Sequence, residues 1–352
     1  MVKDIGKCAL VFVLLSLLAT PGVQALTIDI IPNDVLAANT AALSAIERAA
    51  SAWESYFSDP ITVTISMNLA NMGSTTIIGS TSMVALVGDY DLIRNAMAAD
   101  ADADDGIAAY LPTADEFSAV VPVGFSLADQ IQGTKANFKA LGFENLDSLF
   151  GVLDATITFN SLFAFDFDQS DGVSSGTMDL ETVAMHEIAH ALGFVSIVDS
   201  VDVAVENGQT GVIAATPLDL YRFEDGTAND PATTGDFTND PRNLTPGNAA
   251  IFDDLDDEYA MATGRYNGDG NQASHWKNDD ITSILIGIMD PTLAYGQIID
   301  ISEADLRALD LIGYDIVLMN TPLPTSILLL GAGLACLAIM RRRGGTLASP
   351  SA

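Results

Sequence analysis

Met185-His186-Glu187-Ile188-Ala189-His190-Ala191-Leu192-Gly193-Phe194 is the stretch on which the reading of this chain turns. Residues four apart on a helix share a face, with Cβ atoms about 5–6 Å apart, so His186 and His190 can both direct a ring nitrogen at one ion. Glu187, one position on, is rotated off that line but stays beside it, where a carboxylate can take a proton from water acidified by a metal. The neighbours Val183, Ala184, Ile188, Ala189, Ala191, Leu192 and Phe194 are apolar. They predict a buried helix from about Asp179 to Leu192, stopped by Gly193. Burying two imidazoles and a carboxylate without compensation is expensive, which weighs against an accidental pair.

The chain has only three histidines, and the third is His275, in Ser274-His275-Trp276. A catalytic zinc ion normally has three protein ligands and one open position, so the count fits with none left over. Asp199 and Glu206 are the reserve third ligands should His275 not serve.

At these residues the sequence resembles the metzincin metallopeptidases, whose motif His-Glu-x-x-His-x-x-Gly-x-x-His supplies three zinc ligands in one run. The match holds through Gly193 and then departs, because Ser196 stands at the third ligand position. Leishmanolysin-like metzincins place a long insertion before a distant third histidine, and His275, 85 residues after His190, resembles that arrangement. The resemblance implies a methionine turn beneath the metal at Met289, in Ile288-Met289-Asp290-Pro291. It also implies a closing helix within Ile301 to Tyr314. The likeness is to secreted bacterial metallopeptidases that often carry PEP-CTERM tails, and it spans 177–199 and 262–315. It implies a zincin fold, one catalytic Zn2+, Glu187 as general base and hydrolysis of peptide bonds. Tyr295 is a candidate hydrogen-bond donor to the oxyanion, with plain packing as the alternative.

Working outward, both ends read as addresses. Lys3 and Lys7 precede the apolar run Ala9 to Ala19 and the small-residue site Val23-Gln24-Ala25, which predicts a signal peptide over 1–25. Pro322-Leu323-Pro324 leads into the apolar stretch Ile327 to Met340 and then Arg341-Arg342-Arg343. This segment, 321–352, resembles the PEP-CTERM sorting signals of Gram-negative bacteria, with their transmembrane segment and arginine cluster. Leu323 stands where that name has Glu, closer to the Pro-Leu-Pro variants. The resemblance implies signal peptidase and an exosortase-type enzyme as processing partners; a plain single-span anchor is the alternative. Either way the body, 26–320, is expected outside the cytoplasm, at the cell surface or beyond.

The only cysteines, Cys8 and Cys336, fall inside those two segments, so the body has no thiol with which to form a disulfide. Five of the 14 basic residues and one of the 47 acidic ones lie in the ends, leaving the body at 9 minus 46, or −37. Such a surface repels nucleic acid and anionic lipid and favours divalent cations. The clusters Asp100-Asp102-Asp104-Asp105, Asp166-Asp168-Asp171 and Asp253-Asp254-Asp256-Asp257 offer oxygen ligands for a structural Ca2+, although none has EF-hand spacing and a solvated turn is the alternative.

Periodicity predicts strands at 26–31, 61–69 and 155–167, and helices at 40–57, 89–99 and 127–141. Next come a loop over 168–176 and the His-bearing helix. These make an α/β (α+β) upper lobe with a mixed sheet over 26–198. A lower lobe, 199–316, is expected to be irregular and insertion-like to 271, with a strand-like island at 217–223. A closing helix runs from Ser302 to Leu311. The expected activity is a secreted zinc-dependent endopeptidase that hydrolyses peptide bonds. Two alternatives stay open: a non-catalytic matrix protein with structural zinc, and a metal-dependent amidase acting on a non-protein substrate.

Overall fold

The His-bearing helix is set by its two ends. Asp179 caps it, its carboxylate accepting from the Thr182 amide at 2.8 Å and the Thr182 hydroxyl at 2.7 Å. Gly193 ends it at φ +139, and a Cβ there would press on Ile312 and Asn137 at 3.0–3.1 Å, so only glycine turns the chain here.

The computed structural model describes residues 25–102 and 105–317. Those up to Ile316 belong to one compact unit. In order along the chain they form β1 (Thr27–Pro32), α1 (Asp34–Ala38), α2 (Thr40–Tyr56), β2 (Thr62–Ala70), β3 (Gly79–Met83), β4 (Ala85–Asp89) and α3 (Tyr90–Asp100). Then follow β5 (Ala119–Val120), β6 (Phe125–Thr134), α4 (Lys135–Ala140), α5 (Leu146–Phe150), β7 (Ala155–Asn160), β8 (Phe165–Asp166) and β9 (Met178–Asp179). The His-bearing helix is α6 (Leu180–Leu192), followed by α7 (Val198–Glu206), β10 (Gly211–Ala215), β11 (Arg222–Phe223), α8 (Thr234–Asn239) and β12 (Arg242–Asn243). The described chain closes with β13 (Ala250–Asp253), β14 (Glu258–Met261), α9 (Asp279–Thr282) and α10 (Glu303–Leu311). The fold is therefore mixed α+β, as the sequence predicts at that level.

The main sheet has the order β1-β2-β7-β3, with β1, β2 and β7 parallel and β3 antiparallel at the edge. Helices α2 and α6 pack together beside it, and the Trp53 indole of α2 donates to the Met185 carbonyl of α6 at 3.0 Å. That buried bond satisfies the one polar atom of a large side chain and fixes the two helices in register. A second sheet, β10-β6-β4, joins a strand from 211–215 to strands from before residue 198, so pairing crosses the division between the expected lobes.

Three local expectations are corrected. Residues 127–141 are not one helix: β6 runs to Thr134, and only Lys135–Ala140 is helical, with the Thr134 hydroxyl capping Asn137 at 3.1 Å. The segment pairs with β4 on one side and β10 on the other, and those distant partners override a weak local helical pattern. The strand expected over 155–167 stops at Asn160, whose amide donates to the Ser74 and Ile77 carbonyls at 2.7 Å each. The island at 217–223 is a 3-10 turn, Leu218–Tyr221, before the two-residue β11. The Asp219 carboxylate pulls in the Thr216 and Ile197 amides and so closes a turn where periodicity reads as a strand.

The expected signal peptide and sorting tail fall outside the described residues, apart from Ala25. Among the described residues no helix is long and apolar enough to cross a membrane.

Candidate metal centre

Three backbone carbonyls orient the three histidines. Past Gly193 the chain doubles back, placing the Phe194 carbonyl 2.8 Å from His190 Nδ1. The Ile288 carbonyl lies 2.8 Å from His186 Nδ1, and the Gln272 carbonyl 3.0 Å from His275 Nδ1. A carbonyl can only accept, so each Nδ1 carries the proton and each Nε2 presents a lone pair.

Those lone pairs converge. His275 Nε2 is 3.1 Å from His186 Nε2 and 3.3 Å from His190 Nε2. With no proton between them these are not hydrogen bonds, and three lone pairs at that spacing repel. An ion bound tetrahedrally at about 2.0–2.1 Å separates its nitrogen ligands by roughly 3.3 Å, which matches the observed spacing. Burial, and then the mutual repulsion of neighbouring rings, holds each imidazole pKa down to about 3, so all three stay neutral ligands at ordinary pH. The buried His186, His190 and His275 group can bind a metal ion.

His275 reaches the site on a tightly anchored loop. Asp199 accepts from the Ala273 amide at 2.6 Å and from the Ser274 amide at 3.2 Å, and also takes the Ser274 hydroxyl. That hydroxyl in turn accepts the Ser196 amide at 2.8 Å. Both reserve ligands therefore stand elsewhere: Asp199 holds the loop, and Glu206 is exposed on α7. Ser196 donates to Asp219 at 2.6 Å and takes no part in ligation.

Gly287–Asp290, which includes the Ile288 carbonyl beside His186, forms a turn closed by the Asp290 amide on the Gly287 carbonyl at 3.1 Å, and Met289 is buried within it. Asp305, at the start of α10, holds this turn. Its Oδ2 accepts the Ile288 and Ser302 amides at 2.8 Å each and the Ser302 hydroxyl at 2.7 Å. Its Oδ1 accepts the Trp276 indole at 2.8 Å and the Met289 amide at 3.3 Å. One carboxylate thus ties the residue after His275 to the turn whose carbonyl orients His186.

Glu187 is 6 % exposed, and burial raises its pKa to about 7 against the opposing pull of the Thr81 hydroxyl. Thr81, on the edge strand β3, donates to Glu187 Oε2 at 2.6 Å. Oε1 lies over Gly79, where a Cβ would come within 2.5 Å of it, so the strand carries glycine at its closest approach to the carboxylate.

These groups line a cleft of about 640 Å³ walled by β3 on one side and by 270–275 and 290–293 on the other. Tyr295 is 58 % exposed and does not line it. Gly79, Thr81 and the anchoring roles of Asp199 and Asp305 escape the sequence reading. Only Asp305 leaves a sequence signal, the Ser-x-x-Asp spacing of a capping box with Ser302, which the structure forms.

The acidic clusters are largely engaged in turns and ion pairs. Asp166 accepts from the Asp168 and Ser174 amides, and Asp105 and Asp254 both pair with Arg307. Asp253 instead draws near Asp230 and Glu258, a carboxylate group drawn from three segments that no run in the sequence foretells.

Fold and site together define an α+β protein with a buried three-histidine centre on the floor of an open cleft. Comparison with known protein families, with characterised proteins and with solved structures gives no match.

Proposed function

We propose that the chain is a zinc-dependent endopeptidase of the metzincin kind, exported to the envelope or exterior of a Gram-negative cell, with a zincin catalytic domain over 26–320. The observation that carries this reading is the pairing of three neutral, converging Nε2 atoms with the Glu187 carboxylate in one cleft. A purely structural ion needs no such carboxylate and favours a closed site with a fourth protein ligand. Three imidazoles in a body without thiols suit zinc.

The edge strand supports a peptide as substrate. Among the described residues β3 pairs with β7 on one side only, so its other edge can take up an extended chain by main-chain hydrogen bonding along the cleft. When bound, zinc supplies Lewis acidity toward a carbonyl oxygen and toward water. Thr81 keeps Oε2 of Glu187 occupied, which leaves Oε1 to receive the proton of the attacking water and return it to the leaving amine.

The test is direct. The purified protein should contain one zinc per chain and cleave casein in a chelator-sensitive way. Glu187→Gln should keep the metal and lose turnover. A Glu187→Gln protein that still cleaves would sink the mechanism.

A further inference from the structure

Of the cations in the described residues, eight are engaged. Arg48, Lys135, Lys139, Lys277 and Arg307 form ion pairs, while Arg94, Arg222 and Arg242 donate to backbone carbonyls. Arg265 is the exception: among the described residues its guanidinium makes no hydrogen bond or ion pair, and its one close feature is the neighbouring Tyr266 ring at 5.8 Å. Among the described residues it is also the only cation lining the cleft that holds the histidines.

The acidic groups nearby are spoken for. Asp199 is taken by Ala273 and Ser274, and Asp202 by the Tyr266 and Asn267 amides at 2.8 and 2.9 Å. Asp269 pairs with Lys277, and Asp290 accepts from Asp279 and Thr292. The bonds to Asp202 also fix the backbone next to Arg265, so the side chain rises from an anchored loop. An unpaired guanidinium at a cleft wall, in a body at 9 minus 46 charges, gives the described lining of the cleft a group that attracts an anion where the acidic surface around it repels one.

We propose that Arg265 selects substrates that present a carboxylate in the cleft, either an acidic side chain near the scissile bond or a free C-terminus. This rests on the peptidase reading. The geometry of a guanidinium suits a planar carboxylate bidentately, and an exposed pair of this kind is worth about fivefold in affinity.

The test uses zinc-loaded Glu187→Gln protein and labelled peptides read by fluorescence anisotropy, with zinc content as the control for folding. Peptides carrying Asp or Glu should bind about fivefold tighter than matched Asn or Gln peptides. Arg265→Glu should abolish or reverse that preference, Arg265→Lys should keep part of it, and added salt should weaken it. Preference that survives C-terminal amidation assigns it to the side chain; preference lost on amidation assigns it to the terminus. Peptides that bind with the same charge preference to Glu187→Gln protein with and without Arg265→Glu overturn the assignment while leaving the peptidase reading standing. If no peptide binds and the native protein cleaves none, both fall.

Discussion

Replacing Asp305 should loosen the metal site from a distance. The side chain is fully buried and serves five donors. Asp305→Ala strands the Trp276 indole and the Ile288 amide in the interior, each costing about 1–3 kcal/mol, and removes a cap worth about 1 kcal/mol. The total, about 3–7 kcal/mol, is a large part of the 5–15 kcal/mol typical of a folded domain, so this variant can fail to fold. Asp305→Asn is the cleaner probe because it keeps the shape. With its oxygen at the Oδ2 position, its amine faces the Trp276 and Met289 donors. Flipped, it faces the Ile288 and Ser302 amides and the Ser302 hydroxyl. Either way at least two donors lose an acceptor, costing roughly 2–6 kcal/mol. Since the Ile288 carbonyl orients His186 and Trp276 follows His275, zinc affinity should fall about 10–100-fold, as it does when the groups that orient metal ligands are removed. Urea unfolding of the metal-free protein and zinc competition against a chromophoric chelator measure the two effects separately. An Asp305→Asn protein with an unchanged unfolding midpoint and zinc affinity within twofold of wild type refutes the reasoning.

Gly79→Ala should push the Glu187 carboxylate aside and cut kcat by about 100-fold with zinc retained, consistent with the cost of misplacing a catalytic group by about 1 Å; metal content and steady-state kinetics on one preparation check it. Zinc retention should not follow the ordinary histidine pKa of 6.5. The folded imidazoles stay neutral down to about pH 3, so protons compete with the metal only as pH falls toward that value, and release near pH 6 on dialysis would contradict this. Chelation should lower the melting temperature in a zinc-reversible way, because zinc at 100 times its Kd contributes about 2.7 kcal/mol. Lys135→Met removes a buried cation lying 3.3 Å from buried Asp154 and should cost about 3 kcal/mol; Lys139, also bound to Asp154 at 2.8 Å, keeps the loss at the low end for such pairs, as chemical denaturation can check.

The sequence by itself determined the parts of this protein that are local. The apolar face and the Gly193 stop mark α6 within a residue, and the i, i+4 spacing puts the two histidines on one face of that helix. Helix α2, strand β2 and helix α10 were legible for the same reason. His275 was legible by scarcity, since only three histidines exist to be shared, and by the resemblance to a long-insertion arrangement. What only the tertiary structure decided is everything fixed by partners far along the chain. Residues 125–134 become a strand because 85–89 and 211–215 lie on either side of them. Thr81 reaches Glu187 across 106 residues. Asp199, a reserve ligand by composition, holds the His275 loop in place because its oxygens meet the Ala273 and Ser274 amides first. A carboxylate's role depends on which donors reach it, and those donors come from segments whose proximity no local pattern records.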